Sequence, residues 1–515
     1  MTMATRPTGN ANLFARLFDG IDDPSRLAIE TADNKRITYG DLIAMAGRMA
    51  NVLVNSGVKI GDRVAAQTEK SVSGLVLYLA TVRAGAVYLP LNTAYTLNEL
   101  DYFITDSEPS LIVCDPSKAE GLRVIAAKVN AKVETLGADG KGSFTDAAKT
   151  MSPDFATVPR TDDDLAAILY TSGTTGRSKG AMLSHDNLAS NSLTLIDFWR
   201  FTENDVLIHA LPIYHTHGLF VASNVTLFAR ASMIFLPKLD PMQIINLMDR
   251  ATVLMGVPTF YTRLLQSPSL SRETTKHMRL FISGSAPLLA DTHREWMART
   301  GHAVLERYGM TETNMNTSNP YDGERVPGAV GPALPGISVR ITDPESGTPL
   351  PREAIGMIEV KGPNVFKGYW RMPEKTKAEF RDDGFFITGD LGKIDANDYV
   401  HILGRGKDLV ISGGFNVYPK EIESEIDAMP GVVETAVIGV PHADFGEGVT
   451  AVVVTDGKGT VDEAKVMAAL DGRLAKFKMP KRVIFVDELP RNAMGKVQKN
   501  ILRDSYKSIY SQDAS

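Results

Sequence analysis

The stretch YTSGTTGRSKG, Tyr170 to Gly180, holds three glycines, five serine or threonine hydroxyls and two cations, with almost nothing apolar to bury. It is poor core material and good material for holding a polyanion. The P-loop pattern G-x-x-x-x-G-K-[ST] runs straight into a helix. Here Lys179 stands three residues past Gly176, and Gly180 is followed by AML, which reads as a second strand. The helix signal comes later, at SHDNL, with Ser184 placed as its N-cap. The loop is therefore expected to join two strands and to offer its N–H groups and hydroxyls as an anion-binding concavity.

Working outward, the chain from Ile37 to about Asp240 alternates apolar-periodic helices with short β-rich runs, as in DLIAMAGRMANVLVNSG, DRVAAQ and AVYLPL. That is the signature of a mostly parallel sheet with helices on its faces. A similar unit recurs through MIFLP, PMQIINLMDR, ATVLMGVP and THREWMART. Past Arg325 the texture changes to short strands and Gly/Pro turns, which predicts a small barrel-like antiparallel subdomain. After the Gly-rich LGRGKDLVISGGFNVYP, a compact α+β pattern begins. The expected fold class is α/β: a large domain over 1–405, built of two α/β subdomains and a small β-barrel, then a small α+β domain over 406–515, whose mobility is implied only by family resemblance.

The 515 residues are too many for one compact core. A formal net charge of -6 argues against a dedicated nucleic-acid binder. A single cysteine, Cys114, excludes an internal disulfide and suits a reducing compartment; in the run LIVCD it reads as a buried strand residue. SGLVLYLATVRAGAVYLPL is broken by Arg83 and closed by Pro90, so it reads as a buried helix and a strand, not a membrane span. With no continuous apolar signal segment in MTMATRPTGNANLFARLF, a cytoplasmic protein is expected.

Taken in order, the loop at 170–180, YGMTET at 308–313, FITGD at 386–390, GRGKD at 404–408 and PRNAMGK at 490–496 resemble the motifs of the adenylate-forming superfamily. One departure is Ser178, where the family has proline before the loop lysine. The resemblance implies that ATP is bound by Thr171, Ser172, Gly173, Thr174, Thr175, Gly176 and Lys179, with Ser285 of SGSAPL, Tyr308, Gly309, Asp390 and Arg405. It implies catalytic roles for Thr311, Glu312 and Lys496, with Glu312 a ligand of Mg2+. Lys407 matches the hinge position, and Gly413, Gly414 and Phe415 would line the path of coenzyme A. Lys496 is also a recurrent site of control by lysine acetyltransferases in related synthetases, since acetylation removes its charge.

Taken alone, each residue has a plain reading. Glu312 suits a helix start, Asp390 a turn beside Gly389, and a lysine in a glycine turn is ordinarily solvated. The chemistry gives their joint order its meaning. A carboxylate is a poor acyl donor, and transfer of AMP turns it into a mixed anhydride, which requires two anions to be brought together by positive charge.

For the acid itself, YHTHG at 214–218 and SNPYDGERVPG following YGMTETNMN resemble the malonyl-CoA synthetases. That resemblance puts Arg325 on the far carboxylate of malonate, with His217 beside it and His215 as a gate; methylmalonate is a further candidate substrate. An arginine fork suits the task, because a buried unpaired carboxylate is costly. The alternatives are a synthetase for a short or medium monocarboxylate, a module loading a carrier protein, and a non-catalytic homologue.

Overall fold

The computed structural model describes residues 9–171, 178–413, 415–442, 444–459, 461–492 and 495–510. Strand Leu165–Thr171 pairs antiparallel with strand Lys179–Ser184, in a register that sets Thr171 opposite Lys179. The glycine-rich segment thus joins two strands, as its sequence predicts. Ser184 then caps helix His185–Trp199: its side chain accepts from the Asn187 N–H while the Asn187 side chain accepts from the Ser184 N–H. A cap of this kind stabilises a helix by about 1 kcal/mol.

These two strands end a six-stranded sheet ordered Lys132–Thr135, Leu111–Cys114, Arg63–Gln67, Val87–Pro90, Leu165–Thr171, Lys179–Ser184. Its inner pairs are parallel. Parallel neighbours need crossover connections and are buried on both faces. Helix Val72–Arg83 and strand Val87–Pro90 are accordingly buried almost throughout. Cys114 is 0% exposed, and burial pushes its thiol up to about 11, as befits a strand residue of the core.

A second, eight-stranded sheet runs Asn314–Ser318, Leu305–Met310, Leu280–Ser283, Val253–Gly256, Val206–His209, Ser232–Phe235, Leu27–Thr31, Arg36–Thr38. It is parallel within and antiparallel at its two edges. Among the described residues no helix is long and apolar enough to cross a membrane.

The chain divides into two compact units, Met1–Ser338 with Val360–Phe386, and Val339–Glu359 with Ile387–Ser515. The four-stranded sheet Ser338–Thr342, Gly356–Lys361, Phe386–Ile394, Val400–Arg405 stands where the barrel-like subdomain is expected. Most of it groups with the C-terminal residues, so position 405–406 falls inside the second unit. Beyond it, strands Val432–His442 and Gly446–Thr455 form the centre of a five-stranded sheet that is apolar on both faces. Ile422, Ile426, Val466 and Leu470 pack against Val437, Val449 and Val453 on one face; Leu502 and Tyr510 meet Ala436, Ile438 and Val452 on the other. Period-two alternation explains why ETAVIGV reads as a continuous apolar run.

Candidate active site

Strands Leu305–Met310 and Asn314–Ser318 form a hairpin whose turn carries Thr311 and Glu312. Glu312 thus sits in a strand-to-strand turn and not at a helix start. The second strand is buried despite its polar sequence NMNTS, and part of the hairpin's backbone is answered from elsewhere. Asn191 donates to the Met315 carbonyl at 2.8 Å and accepts from the Met315 N–H at 3.1 Å. Asn364 donates to the Thr313 carbonyl at 2.6 Å, and Asn187 donates to the Pro363 and Val365 carbonyls at 2.7 and 2.9 Å. These buried amide bonds tie the hairpin to helix His185–Trp199 and to the segment around Asn364.

Glu312 is 5% exposed. The Tyr369 hydroxyl stands 3.1 Å from its Oε1 and donates at 2.6 Å to Glu379 Oε2. Lys179 Nζ lies 3.0 Å from Glu379 Oε1 and 4.1 Å over the Tyr369 ring. Lys179 and the Glu312 carboxylate are therefore two contacts apart, through Tyr369. Ser172, Gly173, Thr174, Thr175 and Gly176 lie outside the described residues; Thr171 holds the end of its strand.

A second cluster forms where strand Leu280–Ser283 runs parallel to Leu305–Met310. A Cβ on residue 284 would stand 2.4 Å from the Arg307 guanidinium carbon, so glycine is what lets Arg307 pass. Arg307 is 3% exposed, and its Nε and Nη2 have no hydrogen-bond partner. Burial drives the guanidinium down to about 9. Ser285, one residue on, is held at a φ of +70°, and its Oγ is 3.3 Å from His217 Nδ1. Non-glycine residues in that conformation concentrate at functional sites. His217 Nε2 has no partner either, nor do Ser283 Oγ and Thr216 Oγ1, all of them buried. Burial first, then the Arg307 charge, keep His217 well below its usual range, so the ring is neutral. Unanswered donors around a buried cation make a site that asks for an anion.

His215 stands at the edge of this cluster, its Nδ1 accepting from the His217 N–H at 3.2 Å. Behind it, Lys70 Nζ lies 2.9 Å from His209 Nδ1, and His209 Nε2 lies 2.9 Å from the Gly218 carbonyl oxygen. Arg325 is placed differently from expectation. Its Nη1, Nη2 and Nε donate to the carbonyls of Ala303, Tyr321 and Pro320 at 2.8, 3.0 and 3.3 Å. A guanidinium so occupied pins a loop. The arginine presented to the His217–Ser285 cluster is Arg307, which sequence reasoning passed over although its signal, a charge inside the strand LERYGM, was in view.

In the second unit, Asp390 and Arg405 face each other across paired strands at 2.9 Å, and Arg405 also donates to the Thr388 carbonyl at 3.2 Å. Asp390 is thus inside a strand and does not close a turn. Lys407 is exposed on the short turn Gly406–Asp408, where Asp408 pairs with Arg503 at 2.7 Å. Gly413, at a φ of +59°, turns the chain into Phe415, which is 55% exposed and stacks on Phe477 at 4.8 Å. Gly414 lies outside the described residues. Lys496 is exposed on a loop closed by Asn492, whose N–H donates to the Lys496 carbonyl at 2.9 Å and whose Oδ1 accepts the Lys496 N–H at 3.0 Å.

Two α/β sheets, a phosphate-type loop and a carboxylate-bearing hairpin, followed by a small α+β domain with an exposed lysine loop, are the build of an AMP-binding enzyme. The chain belongs to that family: the AMP-binding enzyme family matches residues 22–370 and the AMP-binding enzyme C-terminal domain matches 421–496. It is 36% identical to a malonate-CoA ligase of Arabidopsis thaliana, over 93% of this chain and 86% of that one. It is also 36% identical to a feruloyl-CoA synthase of an Amycolatopsis species, over 91% and 93%. The ATP-bound crystal structure of MatB from Rhodopseudomonas palustris superposes with a TM-score of 0.96 at 81% identity, covering 97% of this chain and all of that one.

Proposed function

We propose that the protein ligates malonate to coenzyme A through a malonyl-adenylate, releasing pyrophosphate and AMP. Relatives of equal identity act on acids as unlike as malonate and ferulate, so the acid pocket decides. The observation that carries the reading is Arg307, buried with unanswered N–H groups beside neutral His217. Such a pocket favours an acid with a second carboxylate. The far carboxylate is therefore given to Arg307 with His217, and His215 is placed toward the reacting end.

In the first half-reaction a malonate oxygen attacks the α-phosphorus and pyrophosphate leaves. Thr171, Ser172, Thr174, Thr175 and Lys179 hold the β- and γ-phosphates, with Gly173, Gly176 and Ser285 shaping the site around them. Tyr308 and Gly309 lie against the adenine, Thr311 contacts phosphate, and Asp390, steadied by Arg405, accepts from the ribose hydroxyls. Glu312 fits the Mg2+ that accompanies the nucleotide: one hard oxygen ligand is enough when phosphate oxygens and waters complete the shell. Bound there, the ion would neutralise charge on the phosphates. Lys496 bridges the carboxylate and the α-phosphate.

In the second half-reaction the thiol of coenzyme A attacks the adenylate carbonyl and AMP departs. Lys496 must withdraw first, and rotation of a mobile domain beginning at 406, with Lys407 as its hinge, accomplishes this. Gly413, Gly414 and Phe415 then line the thiol's path. Exposed Lys496 is also open to acetylation, which would silence adenylation. Its single reduced cysteine suits a cytoplasmic setting.

The test is pyrophosphate release with ATP, Mg2+ and coenzyme A across malonate, methylmalonate, succinate, acetate and hexanoate. A clear preference for malonate is expected. Preference for acetate or hexanoate would remove the dicarboxylate reading while leaving adenylation intact.

A further inference from the structure

Lys179 is held by a carboxylate that none of the motifs includes. Segment 367–370 lies along strand Lys179–Ser184 as a partial third strand: the Trp370 N–H donates to the Gly180 carbonyl at 2.7 Å, the Met182 N–H to the Gly368 carbonyl at 3.0 Å, and Tyr369 bridges to Ala181. Helix Pro373–Ala378 then brings Glu379 back beneath Tyr369, whose N–H donates to Thr376 Oγ1 at 2.9 Å. Glu379 Oε1 receives Lys179 at 3.0 Å and Lys375 at 2.8 Å, and Oε2 receives the Tyr369 hydroxyl at 2.6 Å. Burial pushes the Glu379 carboxyl up, but the hydrogen bonds from Lys375, Tyr369 and Lys179 together bring it below its ordinary range, so it is an anion. Burial, then the Glu312 charge, raise the Tyr369 phenol, so it stays a donor.

We infer that Glu379 is the resting partner of Lys179 and competes with triphosphate and pyrophosphate for it. The inference rests on the reading that Lys179 meets the β- and γ-phosphates. Lys375 is what makes the exchange feasible: it shares the oxygen that Lys179 vacates, so Glu379 is never left as a half-buried anion without a cation. When pyrophosphate has formed, the same carboxylate draws Lys179 back and eases its release. Glu379 is on this account a positioning residue, acting on the nucleotide through Lys179.

Calorimetric titration of the full chain with Mg2+-ATP, and separately with pyrophosphate, tests this. Glu379→Gln removes the competitor and is expected to tighten both ligands about tenfold, the worth of one charge-assisted hydrogen bond. Lys375→Met leaves Glu379 more dependent on Lys179 and is expected to weaken both. A helix merely damaged by substitution would weaken binding in both variants. Unchanged or weaker binding by Glu379→Gln, or the same sign of change in the two variants, overturns the inference. Lys179→Ala should cancel the gain when combined with Glu379→Gln. If Lys179→Ala alone leaves nucleotide affinity unchanged, the reading of Lys179 falls and the inference with it.

Discussion

The guanidinium of Arg307 fills the space that any side chain at Gly284 would need, 2.4 Å from an added Cβ. The two residues lie on neighbouring elements 23 positions apart in the chain, and together they aim a buried cation at the His217–Ser285 cluster. Arg307→Leu is expected to lower kcat/KM for malonate by about 100-fold, the cost of losing a charged hydrogen-bonding partner. Acetate and hexanoate should lose much less. Gly284→Ala should raise KM for malonate by displacing Arg307 without altering its charge. Steady-state kinetics across the three acids checks both, and a proportional loss on all of them would remove Arg307 from the acid pocket.

Asp427 closes helix Pro419–Asp427 with its Oδ1 buried and without a hydrogen-bond partner. Burial first, then the charges of Glu423 and Glu434, push its carboxyl up to about 7, against the pull of Lys420 at 3.9 Å. Lys499 pairs with Glu423 at 2.6 Å, and Arg491 with Glu434. The native state therefore holds a proton that the unfolded chain gives up near pH 4. Stability from this group is full below about pH 4 and is lost as pH rises to about 7, a change on the order of 4 kcal/mol at most. Asp427→Asn should match the parent near pH 4 and exceed it at pH 8 in urea midpoint. An equal difference at both pH values would show that the carboxyl does not titrate there.

What could be read from the chain alone follows range of interaction. The strand–loop–strand at 165–184, the Ser184 cap and the buried run Val72–Pro90 are local matters of turn chemistry and period, and they appear where sequence places them. The choice between Arg307 and Arg325 is not local. Both lie close to YGMTET, and what separates them is a glycine just past the end of the next strand and three carbonyls beneath Arg325. NMNTS resembles a polar loop because the amides that answer it, Asn191 and Asn364, come from distant segments. Glu379 is 200 positions from Lys179, and its role has no signature at either end.

Cys114 offers a reporter of the first unit's integrity. It is 0% exposed, and burial holds its thiol near 11, so thiolate is scarce at neutral pH. Alkylation should proceed only as fast as the sheet opens. Gly218→Ala should accelerate it, since a Cβ there would meet the Pro212 carbonyl oxygen at 2.1 Å. Rapid labelling of the parent protein in native buffer would contradict the burial of this strand.

Lys496 sits exposed, its backbone tied at both N–H and carbonyl to Asn492. In the function proposed above it offsets negative charge during attack on the α-phosphorus, a stage that is over once the adenylate exists. Lys496→Ala should therefore depress pyrophosphate release from ATP and malonate by about 100-fold or more. Conversion of supplied malonyl-adenylate and coenzyme A to malonyl-CoA should stay within a few-fold of the parent. Asn492→Ala should give a milder loss confined to the same half-reaction, because it loosens the loop and leaves the charge. The two steps are separated by assaying pyrophosphate and thioester independently. Equal loss of both steps in Lys496→Ala would mean that the lysine serves the second unit's structure and not the adenylation step.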